Sequence, residues 1–220
     1  MNVVAVLQKP MQHSKSRLKH VFSPKQRVEL VRAMLSDVLS VLSKTSIIDH
    51  YGVLSCDPQA IQLAKRFGAS VFYEEKAKGI NQAIDQLVKK LDHKYTTLCI
   101  LPSDIPLITP KDIENVITNA TITPVTIAPC KNGTGTNALV LNPPTIIRPQ
   151  FGVNSKEKHV KQARLKNVPF VLHHCCSLQQ DVDTVSDLVM FNKVQLDTYT
   201  KEFLSTHRLI KTISFQEVST

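Results

Sequence analysis

Thr97-Leu98-Cys99-Ile100-Leu101-Pro102-Ser103-Asp104-Ile105-Pro106-Leu107-Ile108-Thr109-Pro110 is the stretch that decides the fold. Thr97 to Leu101 is apolar and reads as a fully buried strand. Thr109 and Pro110 read as a helix start, with Thr109 as N-cap and Pro110 at the first helical position. A strand buried on both faces and followed by a helix belongs in a parallel sheet covered on both sides. Asp104 falls between strand and helix, where an open α/β sheet holds its ligands. A carboxylate there suits Mg²⁺; a local turn cap is the plainer alternative.

The same rhythm runs outward from this stretch. Asn2 to Leu7 reads as a buried first strand. Ser23-Pro24-Lys25-Gln26 reads as a capping box, and Val28, Val31, Leu35, Val38, Leu39 and Leu42 mark one helical face. Tyr51 to Ser55 is strand-like, Asp57-Pro58 starts a helix and Gly68 ends it. Ser70 to Glu74 is a strand, and Ile80, Ala83, Ile84, Leu87, Val88 and Leu91 form an amphipathic stripe. Val125 to Ala128 and Ala138 to Leu141 are strands. A basic helix from Ser155 through Lys166 precedes a strand at Val168 to Leu172, and Thr184 caps a helix from Val185 to Phe191. This alternation predicts an α/β fold, a three-layer α/β/α sandwich with a mostly parallel sheet. Residues 1–192 read as one domain. Residues 193–220 form a tail with a weak helix (Tyr199 to His207) and a strand (Leu209 to Phe215), packing on the domain or on a second subunit, as in a homodimer.

Composition narrows the function. Lys plus Arg number 27 against 18 Asp plus Glu, a net charge of +9, which favours anionic partners. Nucleic acid is not expected: there is no Trp, the lysines are scattered, and no zinc finger or RNP-like aromatic motif appears. No apolar run approaches the ~18 residues of a membrane span, and no basic leader precedes the first strand, so a cytoplasmic location is expected. The five cysteines form no C-x-x-C pair, which points to reduced thiols.

Polar motifs recur where strands end. Lys9-Pro10-Met11-Gln12-His13-Ser14-Lys15-Ser16-Arg17-Leu18 suits a polyphosphate, with Arg17 as a planar fork and Lys9 and Lys15 as point charges. It lacks the glycines of a P-loop. In Gln180-Asp181-Val182-Asp183-Thr184, positions i and i+2 of an extended chain share a face. Asp181 and Asp183 would then converge on one cation, unless Asp183 or Thr184 only caps the next helix. Asn132-Gly133-Thr134-Gly135-Thr136-Asn137-Ala138-Leu139 offers backbone donors to an anion, or forms a hairpin turn. Phe151-Gly152-Val153-Asn154-Ser155 adds a helix N-terminus, with Lys156, Lys158, His159 and Lys161 as local positive charge. Lys78-Gly79-Ile80-Asn81-Gln82-Ala83 opens another helix, with Asn81 able to read a base edge or ribose. His173-His174 beside Cys175-Cys176 alternate faces and make poor joint metal ligands. No nucleophile elbow or triad spacing is present.

In chain order, K-P-x(4)-K-S-R-L, G-[IL]-N-x-A, P-x-D-[IL]-P-L, G-T-G-T-N-A-L, F-G-x-x-S and D-V-D-T resemble the CofC family, the guanylyltransferases of coenzyme F420 biosynthesis (2-phospho-L-lactate guanylyltransferase and relatives). The resemblance spans about Asn2 to Leu188. It implies a nucleotide-diphospho-sugar transferase (GT-A-like) fold and a reaction of GTP with a phosphorylated three-carbon acid, releasing pyrophosphate. By resemblance Lys9, Lys15, Ser16 and Arg17 hold the triphosphate, and Gly79 and Asn81 lie at the nucleoside. Asp104, Asp181 and Asp183 match the family's Mg²⁺-binding acids. Thr136, Asn137, Gly152 and Ser155 match the pocket for the acid, and Lys15, Arg17 and Asp104 carry catalysis. The chain departs from the pattern at Gln8, which replaces an apolar residue, and at Cys130-Lys131, which replaces a more acidic pair.

The implied chemistry suits these residues. A phosphate monoester, with a second pKa near ~6, is already an anionic nucleophile at neutral pH and needs no general base. It needs relief of charge repulsion and a stabilised leaving group. The resemblance leaves the acid open among 2-phospho-L-lactate, phosphoenolpyruvate and 3-phospho-D-glycerate. Two other readings stand beside it: a cytidylyl- or molybdopterin-directed transferase of the same fold, and a basic RNA-binding module.

Overall fold

Strand β1 (Asn2–Leu7) is the centre around which the chain winds. Its neighbours are β2 (His50–Ser55) and β4 (Thr97–Pro102), both parallel to it. A computed structural model describes residues 1–73, 79–91, 93–192 and 195–207. Within them, β3 (Ser70–Tyr73), β5 (Val125–Pro129), β6 (Thr136–Leu141) and β7 (Phe170–Leu172) complete a seven-stranded sheet in the order β3-β2-β1-β4-β6-β5-β7. Only β6 runs against its neighbours, antiparallel to both β4 and β5.

The helices are α1 (Pro24–Leu42), α2 (Pro58–Arg66), α3 (Ile80–Lys90), α4 (Pro110–Ile122), α5 (Ser155–Leu165), α6 (Val185–Val189) and α7 (Tyr199–Thr206). Their starts follow local chemistry. Ser23 Oγ accepts from the Gln26 N–H while the Gln26 side chain accepts from the Ser23 N–H, the capping box expected from the sequence. Thr109 and Asp112 do the same for α4, and Thr184 and Asp187 for α6. Gly68, at φ 68°, ends α2 in a left-handed conformation that costs a glycine nothing.

Strand alternation separates two apolar layers. Val4, Val6, Cys99, Leu101, Ala138 and Val140 face α1, α2, α4 and α6. Val3, Ala5, Leu98, Ile100, Leu139 and Leu141 face α3 and α5. These two layers and the sheet between them are the three-layer sandwich read from the sequence. The five cysteines form no disulfide. Among the described residues, no helix is long and apolar enough to cross a membrane.

Some boundaries differ from the sequence reading. β6 begins at Thr136, not Ala138, because polar Thr136 and Asn137 are buried in the sheet by specific partners. β7 is shorter at its start, beginning at Phe170. The expected strand at Leu209 to Phe215, residue Glu74 and residue Lys78 lie outside the described residues.

α7 packs on α1. Phe203 and Leu204 are buried, and the Phe22 and Phe203 rings sit 6.1 Å apart. The Asp37 carboxylate of α1 receives the Tyr199 N–H at 2.6 Å, the Thr200 N–H at 3.0 Å and the Thr200 hydroxyl at 2.6 Å. Burial pushes Asp37 up to about 6, against the pull of those donors. The folded state therefore holds this proton more tightly than the unfolded chain. The Asp37 contribution to stability is full below pH ~4 and is lost as pH rises through about 6. The difference in thermal midpoint between wild type and Asp37→Asn isolates this group from every other titration. It should move against the wild type between pH 4 and 7; a flat difference contradicts the assignment.

Candidate active site

The switch point of the sheet, where β1 and β4 lie side by side and the chain winds off in opposite directions, is where such folds bind ligands. A cavity of about 310 Å³ opens there. It is lined by Lys9, His13 and Lys15 from the β1–α1 loop, Ser103 and Asp104 from the β4–α4 loop, Gly152, and Asp183. A wider groove of about 700 Å³ lies between α1, α4 and α7, away from the acids, and its Asp37 is already spent on α7.

The β1–α1 loop is folded into two 3-10 turns, Met11–His13 and Ser16–Leu18, anchored by the fully buried Met11 and Leu18. Lys15 joins them in a left-handed backbone, φ 56°, which is uncommon for a residue with a Cβ. Asp57 contributes from outside the loop: one oxygen caps α2 through the Gln59 N–H, and the other receives the Met11 N–H at 2.7 Å. From the sequence, Asp57 reads only as the helix cap. An acid at the carboxyl end of the strand next to β1 is the signal that could have found the second role.

Lys15 is the hub. Its Nζ donates to Asp104 Oδ2 at 2.6 Å and to Asp183 Oδ1 at 2.9 Å, with only 6% of its side chain exposed. Arg17, largely exposed, reaches the other Asp183 oxygen at 3.4 Å. Burial pulls the Lys15 ammonium down, but the two carboxylates outweigh it and hold the group above the ordinary lysine value. Burial likewise pushes Asp183 up, and Lys15, Arg17 and Lys9 hold it below the usual carboxylate range. The Val182 N–H donates to the Asp104 carbonyl at 3.0 Å, so the backbone itself ties the two acid segments together.

Asp181 sits apart from this hub, receiving the Asn137 amide at 3.1 Å. Burial raises it above the usual carboxylate range, opposed by Asn137 and reinforced by Asp104 and Asp183. Among the described residues, no three His, Cys, Asp or Glu side chains are gathered as a metal cage. Two carboxylates do converge on one cation, however, and that cation is the Lys15 ammonium. The donor set, hard oxygens around a buried positive charge, fits a divalent ion in its place.

The reversal of β6 brings in the Gly-Thr hairpin. Thr136 pairs with Pro129 and Leu139 with Ile100, so the hairpin between β5 and β6 reaches the rim where β4 ends. A Cβ on Gly135 would stand 2.9 Å from Cys130 Sγ, so the sulfur would have to shift to admit a larger residue. The Asn137 amide also donates to the Leu178 carbonyl, and Thr136 Oγ1 lies 3.0 Å from His159 Nδ1. Ser155 is buried at the start of α5 and Gly152 lines the cavity at φ 109°. The helix start is less open than the sequence suggested, because the Ser155 and Lys156 N–H groups donate to the Gly152 and Thr134 carbonyls.

Two residues behave differently from the sequence reading. Both polar ends of Asn81 are taken by the Phe151 backbone, its amide donating to the carbonyl at 3.0 Å and its oxygen receiving the N–H at 2.7 Å. Asn81 thus holds the segment entering Gly152, while Gly79, at φ 110°, forms the N-cap of α3. His159 supplies no positive charge, since burial, with Lys158 adding repulsion, lowers it to about 4. Ser16 is exposed on its 3-10 turn. His173 and His174 turn to separate partners, Asn119 and Gln179.

The family described as Guanylyl transferase CofC like matches residues 1–220 of this chain. The chain belongs to that family. It is similar to the 2-phospho-L-lactate guanylyltransferase of Methanothermobacter thermautotrophicus, 33% identical over 192 residues, covering 87% of this chain and 84% of that protein. It is also similar to the phosphoenolpyruvate guanylyltransferase of Sphaerobacter thermophilus, 31% identical over 195 residues, covering 86% and 91%. Among solved structures, a Desulfovibrio desulfuricans G20 protein assigned to the nucleotide-diphospho-sugar transferases superposes with a TM-score of 0.75 at 16% identity, covering 96% of this chain and 97% of that one. A nucleotidyl transferase of Methanothermobacter thermautotrophicus gives 0.61 at 12% identity, covering 94% and 99%. These two support the fold alone, the nucleotide-diphospho-sugar transferase architecture. As a member of the CofC-like guanylyl transferases, the chain is a nucleotidyltransferase.

Proposed function

We propose that this chain transfers GMP from GTP to the phosphate of a small phosphorylated three-carbon acid, releasing pyrophosphate, as its relatives' names describe for 2-phospho-L-lactate and phosphoenolpyruvate. The observation that carries the reading is the Lys15 clamp on Asp104 and Asp183 at the mouth of the switch-point cavity. Such a product is the one required for coenzyme F420 biosynthesis, the route served by the family it resembles.

A phosphate oxygen of the acid attacks the α-phosphorus of GTP, and the bond from that phosphorus to the pyrophosphate oxygen breaks. Lys9, Lys15 and Arg17 take up charge on the departing pyrophosphate. The acid's carboxylate and phosphate lie against Thr136, Gly152 and Ser155, with Asn137 holding Asp181 in place beside them. Asn81 contributes by fixing the Phe151 backbone that leads into Gly152. Asp104 and Asp183 would hold Mg²⁺, with Asp181 turned to Asn137 nearby and the Lys15 ammonium serving the phosphates. When bound, the ion would polarise phosphoryl oxygens and neutralise their charge.

The test is a product assay: GTP, Mg²⁺ and 2-phospho-L-lactate, phosphoenolpyruvate or 3-phospho-D-glycerate in turn, followed by pyrophosphate release. One acid should give release with GTP and not with CTP. Release with CTP alone would favour the cytidylyl reading, and no release with any acid would defeat both.

A further inference from the structure

We infer that His159 is a positioning residue: by donating its Nδ1–H to Thr136 Oγ1, it leaves the Thr136 hydroxyl proton directed to an anionic group of the bound acid. The ligand in this statement rests on the guanylyl-transfer reading above; the hydrogen-bond logic does not.

His159 is fully buried in α5 and touches two other segments. The Gln150 N–H donates to its Nε2 at 2.8 Å, and Thr136 Oγ1 lies 3.0 Å from its Nδ1. A backbone N–H can meet only an unprotonated ring nitrogen, so Nε2 is bare. A neutral imidazole carries one N–H, which must then sit on Nδ1 and point at Thr136. Burial keeps the ring neutral, its pKa lowered to about 4, so the tautomer holds at working pH. The Phe151 ring, edge-on at 5.2 Å, braces the imidazole.

The consequence falls on Thr136. Its oxygen accepts from His159, so its own proton must find an acceptor elsewhere. Among the described residues none is bonded to it. Thr136 is the first residue of β6, at the rim beside the Gly-Thr hairpin, and the hairpin is fastened to α5 by the Lys156 N–H on the Thr134 carbonyl. His159 therefore links the three segments that carry Thr136, Gly152 and Ser155, and it sets one of them as an obligate donor. A donor with no internal partner at an anion-binding rim is what a carboxylate or phosphate of the acid would complete.

Two isosteric changes separate this role from simple packing. An Asn carboxamide reaches the place of Nδ1 and can still donate to Thr136; a Gln carboxamide reaches the place of Nε2 and can only accept from Gln150. His159→Asn should keep the KM for the acid within about twofold of wild type. His159→Gln and Thr136→Val should each raise it about tenfold, the loss of one hydrogen bond to a charged group, with the KM for GTP unchanged. The double variant should be no worse than either single change. The opposite ranking of Asn and Gln, or additive effects in the double variant, would overturn the proposal. Nitrogen-15 NMR of the free wild-type enzyme decides the tautomer without turnover: a protonated Nδ1 and bare Nε2 from pH 5.5 to 8 are expected. A protonated Nε2, or titration within that range, would overturn it. A wild-type enzyme that uses no acid would defeat the transfer reading itself, while the NMR result would still stand on its own.

Discussion

Lys15→Met is expected to lower kcat/KM for guanylyl transfer by roughly a thousandfold, the upper end for removing one preorganised group at developing charge. Among the described residues, Lys15 is the one side chain bonded to both acid-bearing loops, at 2.6 Å to Asp104 and 2.9 Å to Asp183. Removing it strips the triphosphate of its buried cation and leaves two carboxylates facing each other. The stability loss should be about 1–2 kcal/mol at neutral pH, below the ~3–5 of a fully buried pair because both acids are partly solvated. The sign with pH follows from Asp183. Its carboxylate is held below the usual range, so the stability it contributes is present above its unfolded value near 4 and is lost as pH falls through its folded value. Urea melts of wild type and Lys15→Met should differ at pH 7 and converge as the pH falls through that folded value. A variant with near-wild-type turnover would remove Lys15 from the reaction.

Asp104→Asn should be as damaging to turnover and far gentler to the fold. The carboxamide keeps the shape and can still accept from Lys15, while Lys15 keeps its bond to Asp183. Losing a carboxylate that would help hold Mg²⁺ removes several kcal/mol of charge stabilisation, about a thousandfold in kcat. The thermal midpoint should move by no more than a few degrees. Mn²⁺ binding in the presence of GTP, followed by electron paramagnetic resonance, should weaken by at least about tenfold. Turnover near wild type, or unchanged Mn²⁺ affinity, would take Asp104 out of the metal site.

The sandwich was legible because the central strands carry apolar runs and each major helix announces its start. Ser23 with Gln26 and Thr109 with Pro110 are local signals, and local signals survive in a single sequence. Asp104 was legible for the same reason, standing just beyond the apolar β4, whereas Asp183 lies well past β7 and is marked only by its i, i+2 spacing with Asp181. What stayed hidden depends on which segment lies beside which. Strand direction is not written in alternation, so nothing in Ala138 to Leu141 says that β6 is reversed. Thr136 and Asn137 look like loop residues until His159 and Leu178 supply their buried partners. Asn81 looks free to read a base until Phe151 occupies both ends of its amide. His159 looks like one more surface charge on a lysine-rich helix, because its burial is set by residues far away in the chain.

The antiparallel β6 has a bearing on how such an enzyme could change its taste. The β1–α1 loop is folded into two 3-10 turns anchored by buried Met11 and Leu18, so lengthening it would disturb that packing. The β5–β6 turn reverses direction at the edge of the opening with no crossover helix behind it, so extra residues there cost a few tenths of a kcal/mol in closure entropy beside the hydrogen bonds they displace. On the proposed function, insertions and exchanges are then easier on the side assigned to the acid than on the side assigned to the nucleotide, an asymmetry that favours diversification toward new acids over new nucleotides.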